Sequence, residues 1–386
     1  AKVPRYASIS ICFFKRTPHN HTTKALPCRN ATHPSPFGNT FPSRARSSSK
    51  PHNLALLVGT TSHSSGNRNL EPDTFSWRCK VNTIPCFANG EQANLTPFAE
   101  MQLIRPAAGF GTRFLSETMA MPKKMLPIVD KPTIQYIVEE IEASGIEQIL
   151  IISGHAKRAF EDHFDSSPEL EQHLYESGKM DLLKEIRHVA SVKVHYTRQQ
   201  YMRGPGDAIL CAKEFMDGEP FGVILGDDVV YTGDGEPALK QLMDQYEKTG
   251  GAVIGCQRVR EEQVSSYGII DGVKTEDPDL VKVLDMIEKP SIEEAPSRIA
   301  ALGRYVITPE IFKILEQTKP GKGGEIQLTD ALRVMAKNGN VYAYNFKGKR
   351  YDTGNKLGYL KAMVEFALRR EDIGPGFREY LKTLEL

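Results

Sequence analysis

The chain has 386 residues, with 49 Lys and Arg against 48 Asp and Glu, a formal net charge of +1, and 40% hydrophobic residues. That length suits two or three domains, or one large α/β domain with additions. Residues 1–100 carry 12 basic and 4 acidic residues, and the remainder 37 and 44, so the part expected to fold is acidic and does not suit a nucleic-acid binder. No apolar run reaches bilayer length, and the six cysteines form no C-x-x-C pair, so a soluble, cytoplasmic protein with neither membrane partner nor zinc site is expected.

Residues 1–100 contain no Asp or Glu before Glu71 and are rich in Ser, Thr, Asn, Pro and basic residues. Such a segment buries little apolar surface and is expected to be a disordered leader. Basic, Ser-rich and acid-poor is also the make-up of an organellar transit peptide, which would move the location to an organelle such as a plastid. A flexible tail and non-native upstream sequence are the other readings. The domain expected to carry function is 101–386, with the leader dispensable.

Leu103-Ile104 reads as the end of a buried strand, and Pro106-Ala-Ala-Gly109-Phe-Gly111-Thr-Arg113 comes directly after it. Two glycines allow a tight turn that brings bare N–H groups to a ligand. Arg113 offers a fork of donors for phosphate oxygens, and Lys123 adds a second cation. Pro132 then opens a helical stretch with Ile134, Ile137, Val138 and Ile141, before the strand-like Ile149–Ile152. A strand–loop–helix–strand unit carries ligands at the carboxyl ends of its strands, and this one suits a polyphosphate.

Further strands are predicted at 192–196, 221–225, 252–256, 281–284 and 341–344, and helices near 206–217, 236–249, 309–317, 326–337 and 356–370. This alternation predicts a Rossmann-like, mainly parallel mixed sheet with helices on both faces. Leu225-Gly-Asp227-Asp228 ends a buried strand in carboxylates where the ligand should sit. Carboxylates beside phosphates need a cation between them, and Mg²⁺ takes only one or two protein carboxylates. Asp352, before Gly354, could cap the next helix or be a second metal ligand. Glu288 and Lys289 point to opposite faces if extended, one toward sugar hydroxyls and the other toward a phosphate.

Taken in order, these motifs resemble the bacterial-type UTP–glucose-1-phosphate uridylyltransferases of the sugar-nucleotide pyrophosphorylase superfamily. The resemblance spans 101–386 and includes Met125-Leu-Pro-Ile-Val-Asp-Lys-Pro132, Tyr267-Gly-Ile269, Glu288-Lys-Pro290, Gly303-Arg-Tyr305, Gly324-Glu-Ile-Gln-Leu-Thr-Asp330 and Tyr351-Asp-Thr-Gly354. It implies a nucleotide-diphospho-sugar transferase fold and an Mg²⁺-assisted reaction of UTP with glucose 1-phosphate to give UDP-glucose and pyrophosphate.

Carried over by position, the resemblance implies that Ala107, Ala108, Gly109, Gly111, Gln199 and Gly204 bind the nucleotide. Arg113, Lys123 and Lys289 serve the reacting phosphates. Gly268, Glu288 and Gly303 meet glucose, Asp227 and Asp352 hold the metal, and a homo-oligomer is implied, with helix 356–370 as a contact surface. The chain departs from the family at Met119 (usually Lys), Lys124 (usually Glu), Pro205 (usually Leu) and Asp207 (usually His). Two alternatives stand beside this reading. One is a sibling enzyme using another nucleotide such as dTTP, which the pocket around Gln199 and Arg203 would discriminate. The other is a nucleotide-sugar-binding paralogue with weak turnover, marked by the 116–124 stretch and Asp207.

Overall fold

Neighbouring residues along the central strands belong to two different cores. Leu150 and Ile152 join one apolar cluster while Ile149 and Ile151 join another; Val223 and Ile224 divide in the same way, as do Tyr305 and Val306. Successive side chains on a strand point to opposite faces, so a run apolar at every position must be covered twice. Residues of the helices Pro205–Leu210, Glu310–Gln317 and Leu328–Lys337 line one core. Those of Thr133–Ala143, Ala159–Phe164 and Ala238–Thr249 line the other. The expected covering of both faces is present.

The structure, a computed structural model, describes residues 102–105, 112–154 and 158–385. The expectations for the leader 1–100 and for Ala107, Ala108, Gly109 and Gly111 fall outside them. Thirteen strands are described: β1 (Gln102–Arg105), β2 (Pro127–Ile128), β3 (Lys131–Pro132), β4 (Gln148–Ser153), β5 (Lys193–Arg198), β6 (Phe221–Leu225), β7 (Asp228–Tyr231), β8 (Ala252–Arg258), β9 (Gly268–Lys274), β10 (Leu280–Glu288), β11 (Ile299–Ile307), β12 (Val341–Asn345) and β13 (Lys349–Asp352).

Nine of them form one sheet in the order β5-β4-β1-β6-β11-β8-β12-β10-β9. The half β5-β4-β1-β6 is parallel, so the segments leaving β1, β5 and β6 emerge at one edge. The far half is mixed: β11 runs antiparallel to β6 and β8, and β10 antiparallel to β12 and β9. β9 and β10 are joined by only a few residues, and a short connection permits only antiparallel pairing. β7 and β13 pair apart from this sheet, with Asp352 opposite Asp228.

Within the nine-stranded sheet, two strands are absent from the periodicity reading, β9 and β11. β11 is central and buried along most of its length, yet it contains Gly303 and Arg304. Gly303 adopts φ +67 where the register with β8 shifts between Ala301 and Tyr305, the signature of a bulge. Arg304 is fully buried and forms a two-pronged ion pair with Glu140, Nη2 to Oε2 at 2.6 Å and Nε to Oε1 at 3.2 Å.

The helix Lys356–Arg369 begins at Asn355, whose Oδ1 accepts from the Gly358 N–H at 2.8 Å. It leaves Leu357, Leu360 and Val364 exposed. Among the described residues, no helix is long and apolar enough to cross a membrane.

Candidate active site

The residue after β5 and the turn after β6 supply two parts of the site. Each lies at the carboxyl edge of the parallel half-sheet, where an open α/β sheet binds its ligand. Asp227 sits between β6 and β7, and Asp352 is the last residue of β13. The Thr353 N–H and hydroxyl both donate to the Asp227 carbonyl at 2.9 Å, locking the two turns together.

The carboxylates of Asp227 and Asp352 flank Gly354. A Cβ at that glycine would stand 2.5 Å from Asp352 Oδ1 and 3.5 Å from Asp227 Oδ2, so only glycine leaves the space between them clear. Asp352 accepts from the Gly354 N–H and from Asn355 Nδ2, both at 2.8 Å. Those bonds hold its plane and leave lone pairs over. Asn355 caps the helix, so Asp352 is not needed for that task. Among the described residues there is no cluster of three or more acidic, His or Cys side chains suited to a metal. Two hard carboxylate oxygens beside a phosphate site fit Mg²⁺, which draws its other ligands from phosphate and water.

Three cations surround these acids. Arg113 donates from Nη1 to the Gly354 carbonyl at 3.3 Å. The Lys123 ammonium lies 5.0 Å from the centre of the Phe114 ring. Burial lowers its pKa to about 8, with the Lys124 charge adding to the effect and Asp227 and Asp352 opposing it. Lys124 is only 2% exposed, and its Nζ lies 3.5 Å from Asp227 Oδ1. Lys124 thus stands against a proposed metal ligand, a contact the sequence does not announce.

The expected nucleotide-base residues come together after β5. The Gln199 N–H donates to the Ser153 carbonyl at 2.9 Å, and its side chain is 3% exposed. Gln199 Nε2 donates to the Gly204 carbonyl at 3.0 Å and to Asp207 Oδ2 at 2.7 Å. Gly204, at φ +99, packs so closely that a Cβ would meet the Ile326 carbonyl at 2.8 Å. The Gly206 N–H donates to that carbonyl and the Ile326 N–H to the Arg203 carbonyl, at 2.8 and 2.7 Å. Within the Gly324–Asp330 motif, Ile326 therefore holds the loop at 203–206.

The expected sugar residues also converge. Gly268 is the register partner of Glu288, and a Cβ at Gly268 would lie 3.2 Å from Glu288 Oε2. Thr329, which periodicity does not single out, donates its hydroxyl to Glu288 Oε2 at 2.6 Å. Gly303 lies against Asp228, where a Cβ would be 2.6 Å from Oδ2.

The opposed directions expected of Glu288 and Lys289 are not found. Lys289 Nζ is 3.1 Å from Glu288 Oε1, so both reach the same region. The reason is local: β10 ends at Glu288, and Lys289 turns at φ +46 instead of continuing the strand. Its N–H donates to the Tyr267 carbonyl at 3.0 Å. Tyr267 lies under the Arg350 guanidinium, 4.8 Å from its ring centre, and accepts from Nη1 at 3.0 Å. Arg350 Nη2 in turn meets Asp228 Oδ1 at 2.6 Å. Burial raises the Asp228 pKa and Arg350 opposes that rise. Asp228 is thereby tied to the frame while its neighbour Asp227 faces the site.

A family model described as nucleotidyl transferase matches residues 106–368. A Bacillus subtilis (strain 168) protein named UTP–glucose-1-phosphate uridylyltransferase is 52% identical over 271 residues, covering 70% of this chain and 92% of its own. A UDP-glucose pyrophosphorylase solved with UDP-glucose aligns at TM-score 0.65 and 45% identity, over 70% of this chain and 100% of that one. The UTP-bound UGPase from Acinetobacter baumannii aligns at TM-score 0.69 and 35% identity, over 74% of this chain and 100% of that one.

Proposed function

The chain belongs to the nucleotidyl transferase family, within its UTP–glucose-1-phosphate uridylyltransferases, and from that membership we propose how its own residues divide the reaction. UMP passes from UTP to α-D-glucose 1-phosphate, giving UDP-glucose and pyrophosphate. The sugar phosphate oxygen attacks the α-phosphorus in line as pyrophosphate leaves. That oxygen is already anionic, so the chemistry calls for positioning and charge neutralisation rather than a general base.

Arg113 and Lys123 meet the triphosphate alongside the backbone of Ala107, Ala108, Gly109 and Gly111. Gln199, with the backbone at Gly204, receives uracil. Gly268, Glu288 and Gly303 receive glucose, with Thr329 orienting the Glu288 carboxylate. Lys289 meets the glucose phosphate. Asp227 and Asp352 would hold Mg²⁺, which when bound offsets phosphate charge. Lys124 keeps Asp227 Oδ1 occupied and turns Oδ2 toward Asp352. The protein works in the cytoplasm on soluble phosphates, and the exposed Leu357, Leu360 and Val364 suit contact with a second copy.

The observation that carries this reading is the meeting of two carboxylates and three cations around Gly354. Pyrophosphate release from UTP, dTTP, CTP, ATP and GTP, with glucose 1-phosphate and Mg²⁺, tests it. Turnover with UTP that EDTA abolishes is the expected result. Undiminished turnover in EDTA would remove the metal assignment, and turnover confined to another nucleotide would remove the uracil assignment. Light scattering tests the assembly, and a monomer would refute it.

A further inference from the structure

Asp207 adds a negative charge beside a pocket meant for a polyanion, and its surroundings give it a purpose. The side chain is buried, 4% exposed as a residue. Arg203 Nη2 pairs with Oδ1 at 3.0 Å, and the other oxygen accepts from Gln199 Nε2 at 2.7 Å. The charge is thus neutralised by an exposed arginine on one side and used as an acceptor on the other.

The chemistry of the neighbours fixes which way the Gln199 amide faces. The Gly204 carbonyl and an ionised Asp207 are both acceptors, so only the amide NH₂ can lie between them. Gln199 Oε1 must then face the other way. It is buried and finds no hydrogen-bond partner among the described residues. A buried acceptor left over has to be met by a ligand donor or by water.

We propose that Asp207 is a positioning residue for base selection, locking the Gln199 amide so that it presents an acceptor to the base. A pyrimidine with an N3–H, uracil or thymine, meets that acceptor with a donor. Cytosine brings an unprotonated N3 and is refused, because two acceptors would face each other in a buried place. The inference rests on the reading of Gln199 as the uracil residue. It separates UTP and dTTP together from CTP, and does not separate UTP from dTTP.

The test is calorimetric Kd for UTP and for CTP with the full chain, its Asp207→Asn and Asp207→Ala variants, and Gln199→Ala. Asparagine can offer its own NH₂ to Oε1, so Asp207→Asn should cut the UTP-over-CTP preference by about tenfold or more. Asp207→Ala removes the lock without offering a competing donor and should cut the preference less. Arg203 is 64% exposed at its side chain and stays hydrated, so the alanine variant remains usable if the asparagine variant does not fold. If both nucleotides weaken together and the preference survives in the Asp207 variants, while Gln199→Ala abolishes it, Asp207 is structural only and the proposal is overturned. If Gln199→Ala itself leaves the preference intact, the uracil reading falls and this inference falls with it.

Discussion

Arg113 donates to the carbonyl of Gly354, 241 residues away in sequence, and so ties the short turn Thr112–Phe114 to the turn beside the two proposed metal ligands. If Arg113 meets the triphosphate as proposed, its hold on the carboxylate turn would couple nucleotide and metal binding through one side chain. Arg113→Ala should therefore weaken both, a loss that UTP titrations with and without Mg²⁺ would register.

Lys289→Ala should lower kcat/KM for glucose 1-phosphate by about 1.5–3 kcal/mol of transition-state stabilisation, roughly ten- to two-hundredfold. Alanine at φ +46 pays the same backbone cost as lysine, so stability should barely change. Steady-state kinetics with varied sugar phosphate checks this; an unchanged kcat/KM would remove Lys289 from the phosphate site.

Lys123, with its pKa near 8, should impose a pH dependence on nucleotide capture. The ammonium is the form that binds phosphate, so kcat/KM for UTP should fall as pH rises through about 8. Bound UTP favours the ammonium, so kcat should hold to higher pH. For stability the sign reverses. The unfolded chain keeps its proton up to the ordinary 10.5, so this group stabilises the fold increasingly between about 8 and 10.5. Profiles for Lys123→Arg, which cannot lose its proton there, should lack the fall near 8.

The pair Lys124 and Asp227 should respond unequally to mutation. Asp227 is 40% exposed at its side chain, whereas Lys124 is 2% exposed. Asp227→Ala takes this carboxylate from a buried ammonium and should cost about 3 kcal/mol as well as activity. Lys124→Met puts an apolar chain of similar length into the same space and should leave the melting temperature nearly unchanged. Chemical denaturation of both variants decides it, and equal losses would contradict the asymmetry.

Arg304 and Glu140 form a buried frame that should matter for folding rather than chemistry. Glu140→Ala strands the fully buried guanidinium and should cost about 3–5 kcal/mol. Glu140 Oε1 also accepts from the Leu239 N–H at 3.2 Å, so the loss reaches the helix Ala238–Thr249. Urea titration measures the stability change, and KM for either substrate should stay within a few-fold in protein that remains folded.

Much of this fold is legible because the strands are apolar at every position and the helices repeat at i, i+3 and i+4. Ile149–Ile152 and Val223–Ile224 announce burial on two faces, and the structure supplies both cores. β11 is less legible because its bulge needs a glycine and its buried arginine finds its acid 164 residues away. The same limit applies at the site. Spacing points to Asp227 and Asp352, and the family resemblance to Gln199, each at or beside the end of a strand, while Thr329, Lys124 and Arg350 acquire roles only through partners distant in sequence. Extended geometry also misjudges Lys289, because its backbone takes a left-handed turn whose N–H is held by the Tyr267 carbonyl.

The backbone of Ile326 grips the base loop, and three positions later Thr329 grips the carboxylate meant for glucose. One short stretch is thus a ruler laid between the two proposed substrate sites. Each residue added to an α-helix rotates the remainder of the helix by about 100° and advances it about 1.5 Å. A single insertion between Leu328 and Thr329, inside the helix Leu328–Lys337, would swing the threonine hydroxyl off Glu288. The length of this stretch is therefore as much a part of the proposed site as the Thr329 hydroxyl itself.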